Sequence, residues 1–126
     1  MDKESLAVSE IEVGKKLADA MERSNIGFDA ALWLYEGDSQ GWKYIVVPHR
    51  DDQERKAFLL ELSKLINRDV RDFDIGDIRL LDKNKPVISA LSKLIRIDGV
   101  GGVRASRNTV NGQYVDDAYI YRMAIN

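Results

Sequence analysis

Apolar positions along the chain alternate between helix-like and strand-like spacing. The first segment, residues 5–23, has spacings of three, four and seven at Leu6, Val13, Leu17, Ala20 and Met21. This spacing is typical of an amphipathic helix that packs on a sheet. We expect Gly27 to close this helix in a left-handed conformation.

Two runs rich in aromatic and β-branched residues follow, at 28–36 and 42–48, and turn residues separate them. This pattern predicts a β-hairpin. A Gly37–Gln40 loop sets a register in which one face carries four aromatic residues, with Tyr35 opposite Trp42 and Trp33 opposite Tyr44. The other face carries Ala30, Leu32, Leu34, Ile45 and Val47. Since both faces are apolar, we expect helices or a partner chain to cover both.

The middle of the chain predicts two helices around a short strand. The first helix is expected to begin at an Asp51 cap, with Glu54 as its capping-box partner, and to run to about residue 67. Its predicted buried stripe is Phe58, Leu62, Leu65 and Ile66.

Residues 68–77 alternate in charge and predict a solvated connection. Residues 78–81 predict a short strand. Pro86 suits the first turn of the next helix, which glycines 99, 101 and 102 end. The predicted buried stripe of that helix is Val87, Ala90, Leu91 and Leu94.

The pair Asn111-Gly112, between two alternating runs, predicts a two-residue hairpin. That turn places Val110 opposite Gln113, Arg107 opposite Asp116 and Arg104 opposite Tyr119. The predicted core face carries Val103, Ala105, Ala118 and Ile120, and ends in the Arg107–Asp116 pair, Thr109 and Tyr114. The other face is polar and aromatic, with Arg104, Ser106, Asn108, Asp117, Tyr119 and Tyr121, joined by Val110 and Val115.

Together these segments predict one mixed α+β domain over residues 1–126, in the order α-β-β-α-β-α-β-β. We expect a sheet of about five strands with helices packed on it. The two β-α-β steps are candidates for parallel crossovers.

The amino-acid composition excludes several kinds of chemical site and indicates a compartment. The 126 residues are 44% hydrophobic and 32% charged, with a formal net charge of -2. The absence of cysteine excludes disulfide scaffolds, thiolate zinc sites and thiol catalysis. The N-terminal residues carry charges and no apolar signal segment, and no stretch reaches transmembrane length. We therefore expect a cytoplasmic protein without a membrane partner.

No residue pattern predicts a metal, a cofactor or a catalytic group. His49 is the only histidine and is interpreted as a surface turn residue, and neighbours Asp116 and Asp117 point to opposite faces of a regular strand. The Gly99–Gly102 segment follows a helix, so no helix N-terminus faces a phosphate there. A restriction-type nuclease core needs an acid-x-lysine on a strand, and the one such triplet, Glu54-Arg55-Lys56, falls in a predicted helix.

The polar-aromatic face of the last hairpin is the predicted binding site: Arg104, Ser106, Asn108, Asp117, Tyr119 and Tyr121. Tyrosine and arginine are enriched at protein interfaces. The first hypothesis is a non-catalytic protein-binding module, either an inhibitor of the immunity or antitoxin type or a small accessory subunit. A second copy of the chain, forming a homodimer, is a candidate partner.

Two alternatives use the same face. The first is an enzyme acting on a phosphoester or nucleotide, in which Arg104, Arg107 and Asn108 contact the substrate and Asp117 is the general base. The second is a single-stranded nucleic-acid binder, in which bases stack on the rings of Tyr119 and Tyr121 beside the Arg104 cation. The acidic net charge disfavours that nucleic-acid partner.

Overall fold

The computed structural model describes residues 5–37, 40–49, 54–110 and 112–125. The elements follow the predicted order α-β-β-α-β-α-β-β. They are α1 (Val8–Arg23), β1 (Phe28–Tyr35), β2 (Trp42–Pro48), α2 (Arg55–Asp69), β3 (Ile78–Leu80), α3 (Pro86–Leu94), β4 (Val103–Val110) and β5 (Gln113–Met123). The predicted α+β class is therefore confirmed.

The five strands form one mixed sheet in the order β3-β2-β1-β5-β4. The β2–α2–β3 step is a parallel crossover, as predicted, and the other neighbours are antiparallel. The second candidate crossover, β3–α3–β4, is not parallel: the pairings across the sheet make β4 run antiparallel to β3, at the opposite edge. Strand β5 pairs with β1, so among the described strands β4 has β5 alone as its neighbour and forms one edge of the sheet.

The aromatic hairpin has the predicted register, with Trp33 opposite Tyr44 and Tyr35 opposite Trp42. All four rings are buried in a core that includes residues of α1 and α2. Helices of the same chain therefore cover this face. A second core lies on the other face, where Ile88 and Leu91 of α3 join the predicted apolar set Ala30, Leu32, Leu34, Ile45 and Val47.

Helix α1 is fastened to the aromatic face by hydrogen bonds from ring groups to its backbone. Trp33 Nε1 donates to the Glu10 carbonyl at 3.0 Å, Tyr44 Oη to the Gly14 carbonyl at 2.8 Å and Tyr121 Oη to the Ile11 carbonyl at 2.6 Å. A Cβ built on Gly14 would lie 2.5 Å from Trp33 Nε1 and closer still to Tyr121 Oη. The missing side chain of Gly14 is what permits the close approach of this helix.

The last hairpin also has the predicted register, with Arg104 opposite Tyr119 and Val110 opposite Gln113. Turn residue Asn111 lies outside the described residues, and Gly112 has the expected positive φ of 79°. The ladder has no bridge at Arg107, whose φ is 52°, although its register position is opposite Asp116.

This irregularity breaks the alternation of faces in the hairpin. Val115 packs in the core under α3, although it is two residues from Asp117, with which it would share a face in a regular strand. Two predictions were therefore wrong: Val115 does not join the polar face, and Tyr114 is 55% exposed instead of lying on a core face.

The end of α1 differs from the prediction in one residue. Asn25, with φ 56°, takes the left-handed position expected of Gly27. The Ile26 amide donates to the Met21 carbonyl at 3.1 Å and the Asn25 amide to the Glu22 carbonyl at 3.3 Å. These two bonds form a Schellman motif, in which asparagine is the usual substitute for glycine.

The expected solvated connection at residues 68–77 is wrong in part. Helix α2 continues to Asp69, and Val70 and Phe73 are buried. The Phe73 ring lies 5.9 Å from that of Trp33 and 5.1 Å from that of Tyr44. The connection thus supplies part of the cover of the aromatic face.

The predicted stripes of the other two helices are largely confirmed. In α2 the buried residues are Phe58, Leu62, Leu65 and Ile66, as expected, whereas the proposed cap Asp51 lies outside the described residues. In α3 Ala90 and Leu91 are buried, but Ile88 replaces Leu94, which is 47% exposed.

Candidate functional site

The centre of the candidate site is an ion pair between neighbouring strands of the last hairpin. Asp117 of β5 is opposite Ser106 of β4, and only 3% of its side chain is exposed. Arg104 donates from Nε to Asp117 Oδ1 at 2.9 Å and from Nη2 to Oδ2 at 2.6 Å. The Ser106 hydroxyl donates to the same Oδ1 at 2.9 Å. Both oxygens of the buried carboxylate are therefore engaged within the chain.

Arg104 is fixed in place and still faces outward. Its side chain is 43% exposed, and its guanidinium carbon lies 5.9 Å from the ring centre of Trp42. Its hydrogen bonds to Asp117 raise the pKa of Arg104, so the group stays charged. A bidentate carboxylate contact orients an arginine and restricts its rotamers. Arg104 is thus a preorganised cation at the surface.

The two tyrosines of the predicted site lie at different depths. Tyr121 is buried, and its ring is stacked 6.0 Å from that of Tyr44. Tyr119 is half-buried, 5.3 Å from Tyr121 and against the backbone of Gly102. Tyr121 therefore belongs to the core under α1, and only Tyr119 borders the exposed part of the face.

Asn108 lies beyond Ser106 on β4. Its Nδ2 donates to the Ser106 carbonyl at 2.9 Å, which bends this side chain back along its own strand. The structure thus brings together Arg104, Ser106 and Asp117 as one network, with Tyr119 at its side. Asn108 does not join them as predicted, because it is opposite Val115, which packs in the core under α3, and cross-strand partners share a face. We call the exposed part, made of Arg104, Ser106 and Tyr119, the hairpin surface.

The position of β4 at the edge of the sheet was not predicted. The hairpin surface therefore combines side-chain groups with the outer backbone edge of an eight-residue strand. One signal in the sequence was the polar and charged run of β4, since edge strands carry charges that core strands avoid.

The other candidate groups have structural surroundings. His49 is exposed after β2, and its Nδ1 lies 2.8 Å from Asp29 Oδ1. Arg55 opens α2 and donates to the Leu80 carbonyl at 2.8 Å, so the triplet at 54–56 leads into a helix and not a strand. Among the described residues, no three His, Asp or Glu side chains are grouped in a way that could hold a metal ion.

No protein-family model matches the chain, and no curated protein or solved structure is significantly similar to it. Within the described ranges, none of the helices combines the length and the apolar character needed to cross a membrane.

Proposed function

We propose that this protein is a non-catalytic protein-binding module, an inhibitor of the immunity or antitoxin type or a small accessory subunit, and that its partner binds at the hairpin surface. The observation that carries the proposal is the preorganised Arg104 on an exposed edge strand. The entropy of ordering this side chain is lost during folding, so less is lost on association.

The backbone of β4 supports a specific way of binding. Alternate N–H and C=O groups of an edge strand point away from its sheet, and an extended partner segment can pair with them. The irregularity at Arg107 divides β4 into two short stretches, Val103–Ser106 and 108–110, and the first of them carries Arg104. A partner strand can therefore form only a few backbone hydrogen bonds with β4, and the fixed Arg104 beside them must also find an acceptor. These two requirements together favour one partner in one register over non-specific strand association.

Two features favour a binding module over the phosphoester-directed enzyme and the nucleic-acid binder, which use the same face. A general base must be able to reach a substrate proton, yet Asp117 is buried and three donors engage its oxygens. Tyr121, which the nucleic-acid hypothesis uses for base stacking, lies under α1.

The experiment is affinity capture from the native host with three arginine variants. Arg104→Ala removes the cation, Arg104→Lys keeps the charge without the planar fork, and Arg71→Ala is the control, an exposed arginine outside the hairpin. We expect Arg104→Ala to weaken binding by about 1–2 kcal/mol, or roughly tenfold. Arg104→Lys should weaken binding by most of the same amount, because an ammonium group lacks the planar fork of the guanidinium. Arg71→Ala should leave the affinity unchanged.

The captured partner is then titrated against each purified, folded variant. Equal affinity for the wild type and Arg104→Ala would contradict the proposal, and so would a wild-type chain that retains no protein above bait-free resin. If the partner is a second copy of this chain, light scattering shows a dimer that Arg104→Ala weakens.

A further inference from the structure

Arg107 interrupts the edge strand β4 in a backbone conformation that arginine rarely adopts. Its φ is 52°, in the left-handed region, where the Cβ of an ordinary residue comes too close to the following carbonyl oxygen. Glycine and asparagine enter this region at lower cost. The protein therefore gives up some stability by having an arginine at this position.

No polar contact within the described part of the fold engages the Arg107 side chain. The residue is exposed, and its guanidinium takes part in no hydrogen bond or ion pair of the described residues. Asp116 is its neighbour by register, but the ladder has no bridge there and no ion pair joins these two described side chains. A backbone outlier that the fold itself does not use points to a function of the residue.

Arg107 also carries a positive charge that differs from that of Arg104. Strand β4 contains these two arginines and no aspartate or glutamate. The buried carboxylate of Asp117 compensates the charge of Arg104 through two hydrogen bonds. The charge of Arg107 is held in no ion pair among the described residues, so a segment that approaches this edge meets an unpaired cation.

The place of Arg107 along β4 suits contact with an added strand. It directly follows the stretch Val103–Ser106, whose outer backbone groups can pair with an extended segment. Successive residues of a strand are about 3.3 Å apart along its axis. The long side chain of Arg107 can therefore reach a group that lies one or two residues beyond the paired part of that segment.

We propose that Arg107 selects an acidic partner segment, which adds a strand to β4 along Val103–Ser106 and places an aspartate or glutamate carboxylate on the Arg107 guanidinium. This inference rests on the proposed function and adds the chemistry of the partner. The planar guanidinium matches the two oxygens of a carboxylate. A nucleic-acid strand also carries anions, but it lacks the alternating backbone N–H and C=O groups that pair with β4.

Titration of the protein with two capped octapeptides, followed by the amide chemical shifts of β4 at constant ionic strength, tests this proposal. One peptide alternates threonine with glutamate, and its twin alternates threonine with glutamine. We expect the glutamate peptide to bind the wild type about two- to fivefold more tightly than the glutamine peptide, the ratio that one exposed ion pair is worth.

Three variants separate the charge from the backbone. Arg107→Asn removes the cation, Arg107→Lys keeps it, and Arg71→Asn is the matched control at an exposed arginine outside the hairpin. Arg107→Asn should bind both peptides equally, whereas Arg107→Lys and Arg71→Asn should keep the preference for glutamate. Because asparagine suits the left-handed backbone, Arg107→Asn should also raise Tm by about 2–4 °C. A gain in stability together with a loss of selectivity is the result expected of a residue kept for binding.

Equal affinity of the wild type for the two peptides, or undetectable binding of the glutamate peptide, would overturn the inference. A lower Tm of Arg107→Asn would do the same, because it would show that the fold uses the guanidinium. Tighter binding of single-stranded oligothymidylate than of the glutamate peptide would assign the edge to nucleic acid instead. If Arg107→Asn self-associates in light scattering and keeps the preference for glutamate, the arginine only protects the edge. The proposed function fails separately, since it requires the captured partner to depend on Arg104.

Discussion

Replacing Gly14 by alanine tests how α1 is held on the sheet. In an ordinary helix this substitution stabilises folding by about 1 kcal/mol. Here the new Cβ would lie 2.5 Å from Trp33 Nε1 and closer to Tyr121 Oη. Neither ring can retreat easily, because both are buried and each donates a hydrogen bond to α1.

The expected cost follows from those contacts. Overpacking a core by one methyl group costs about 1–3 kcal/mol. If α1 moves outward instead, each lost hydrogen bond costs about 1 kcal/mol. Because the new Cβ meets two buried rings, we take the upper end of that cost, about 3 kcal/mol. Subtracting the gain of about 1 kcal/mol in helix propensity, we expect Gly14→Ala to lower the free energy of unfolding by about 2 kcal/mol. For a domain of this size that is a fall of roughly 6–10 °C in Tm.

Urea denaturation followed by circular dichroism measures this change. Gly99→Ala is the control, because a Cβ there meets nothing within 4 Å and its φ is not positive. Tyr121→Phe completes a double-mutant cycle, since it removes the hydroxyl that the new Cβ meets. Gly14→Ala should be less harmful in the Tyr121→Phe background. If Gly14→Ala is as stable as Gly99→Ala, the close approach of α1 to the rings is refuted.

Two further predictions concern the same aromatic face. Burial raises the pKa of Tyr44 and of Tyr121 above the unfolded value of 10. Above that pH the unfolded state therefore binds fewer protons, and stability should fall by up to about 1.4 kcal/mol per pH unit for each tyrosine. Urea midpoints from pH 8 to 11 measure this slope, which Tyr44→Phe should flatten. Phe73→Ala should cost about 3–5 kcal/mol in the same assay, whereas Ile75→Ala, at a 43% exposed site, should cost far less; equal costs would place Phe73 outside the core.

Both hairpins were predictable because their information is local. The Asn111-Gly112 turn and the Gly37–Gln40 loop each set a register, and cross-strand partners then follow by counting. The apolar stripes of α1 and α2 follow in the same way from helical spacing. In these segments the local pattern and the tertiary packing favour the same structure.

The remaining features depend on contacts between distant segments. Residues 68–77 are mostly charged, and their local pattern does not reveal that the gap beside Trp33 and Tyr44 needs the Phe73 ring. The strand order depends on β1 pairing with β5, which lies about ninety residues away along the chain. The left-handed backbone at Arg107 could not be predicted, because positive φ is typical of glycine and asparagine and the residue at this position is an arginine.

The same long-range pairing explains why the candidate site is only partly exposed. Because β5 lies beside β1, its Tyr121 joins the rings of Trp33 and Tyr44 under α1, while β4 is left at the edge. The predicted face is thereby divided along its length into a buried aromatic end and an exposed polar end.

Charged side chains on an edge strand also prevent aggregation, so the charge of Arg104 alone does not distinguish protection of the edge from recognition of a partner. Protection needs only that charge at the edge. A buried carboxylate that fixes the guanidinium in one orientation, with Ser106 completing its hydrogen bonds, adds geometry that protection does not require and recognition does.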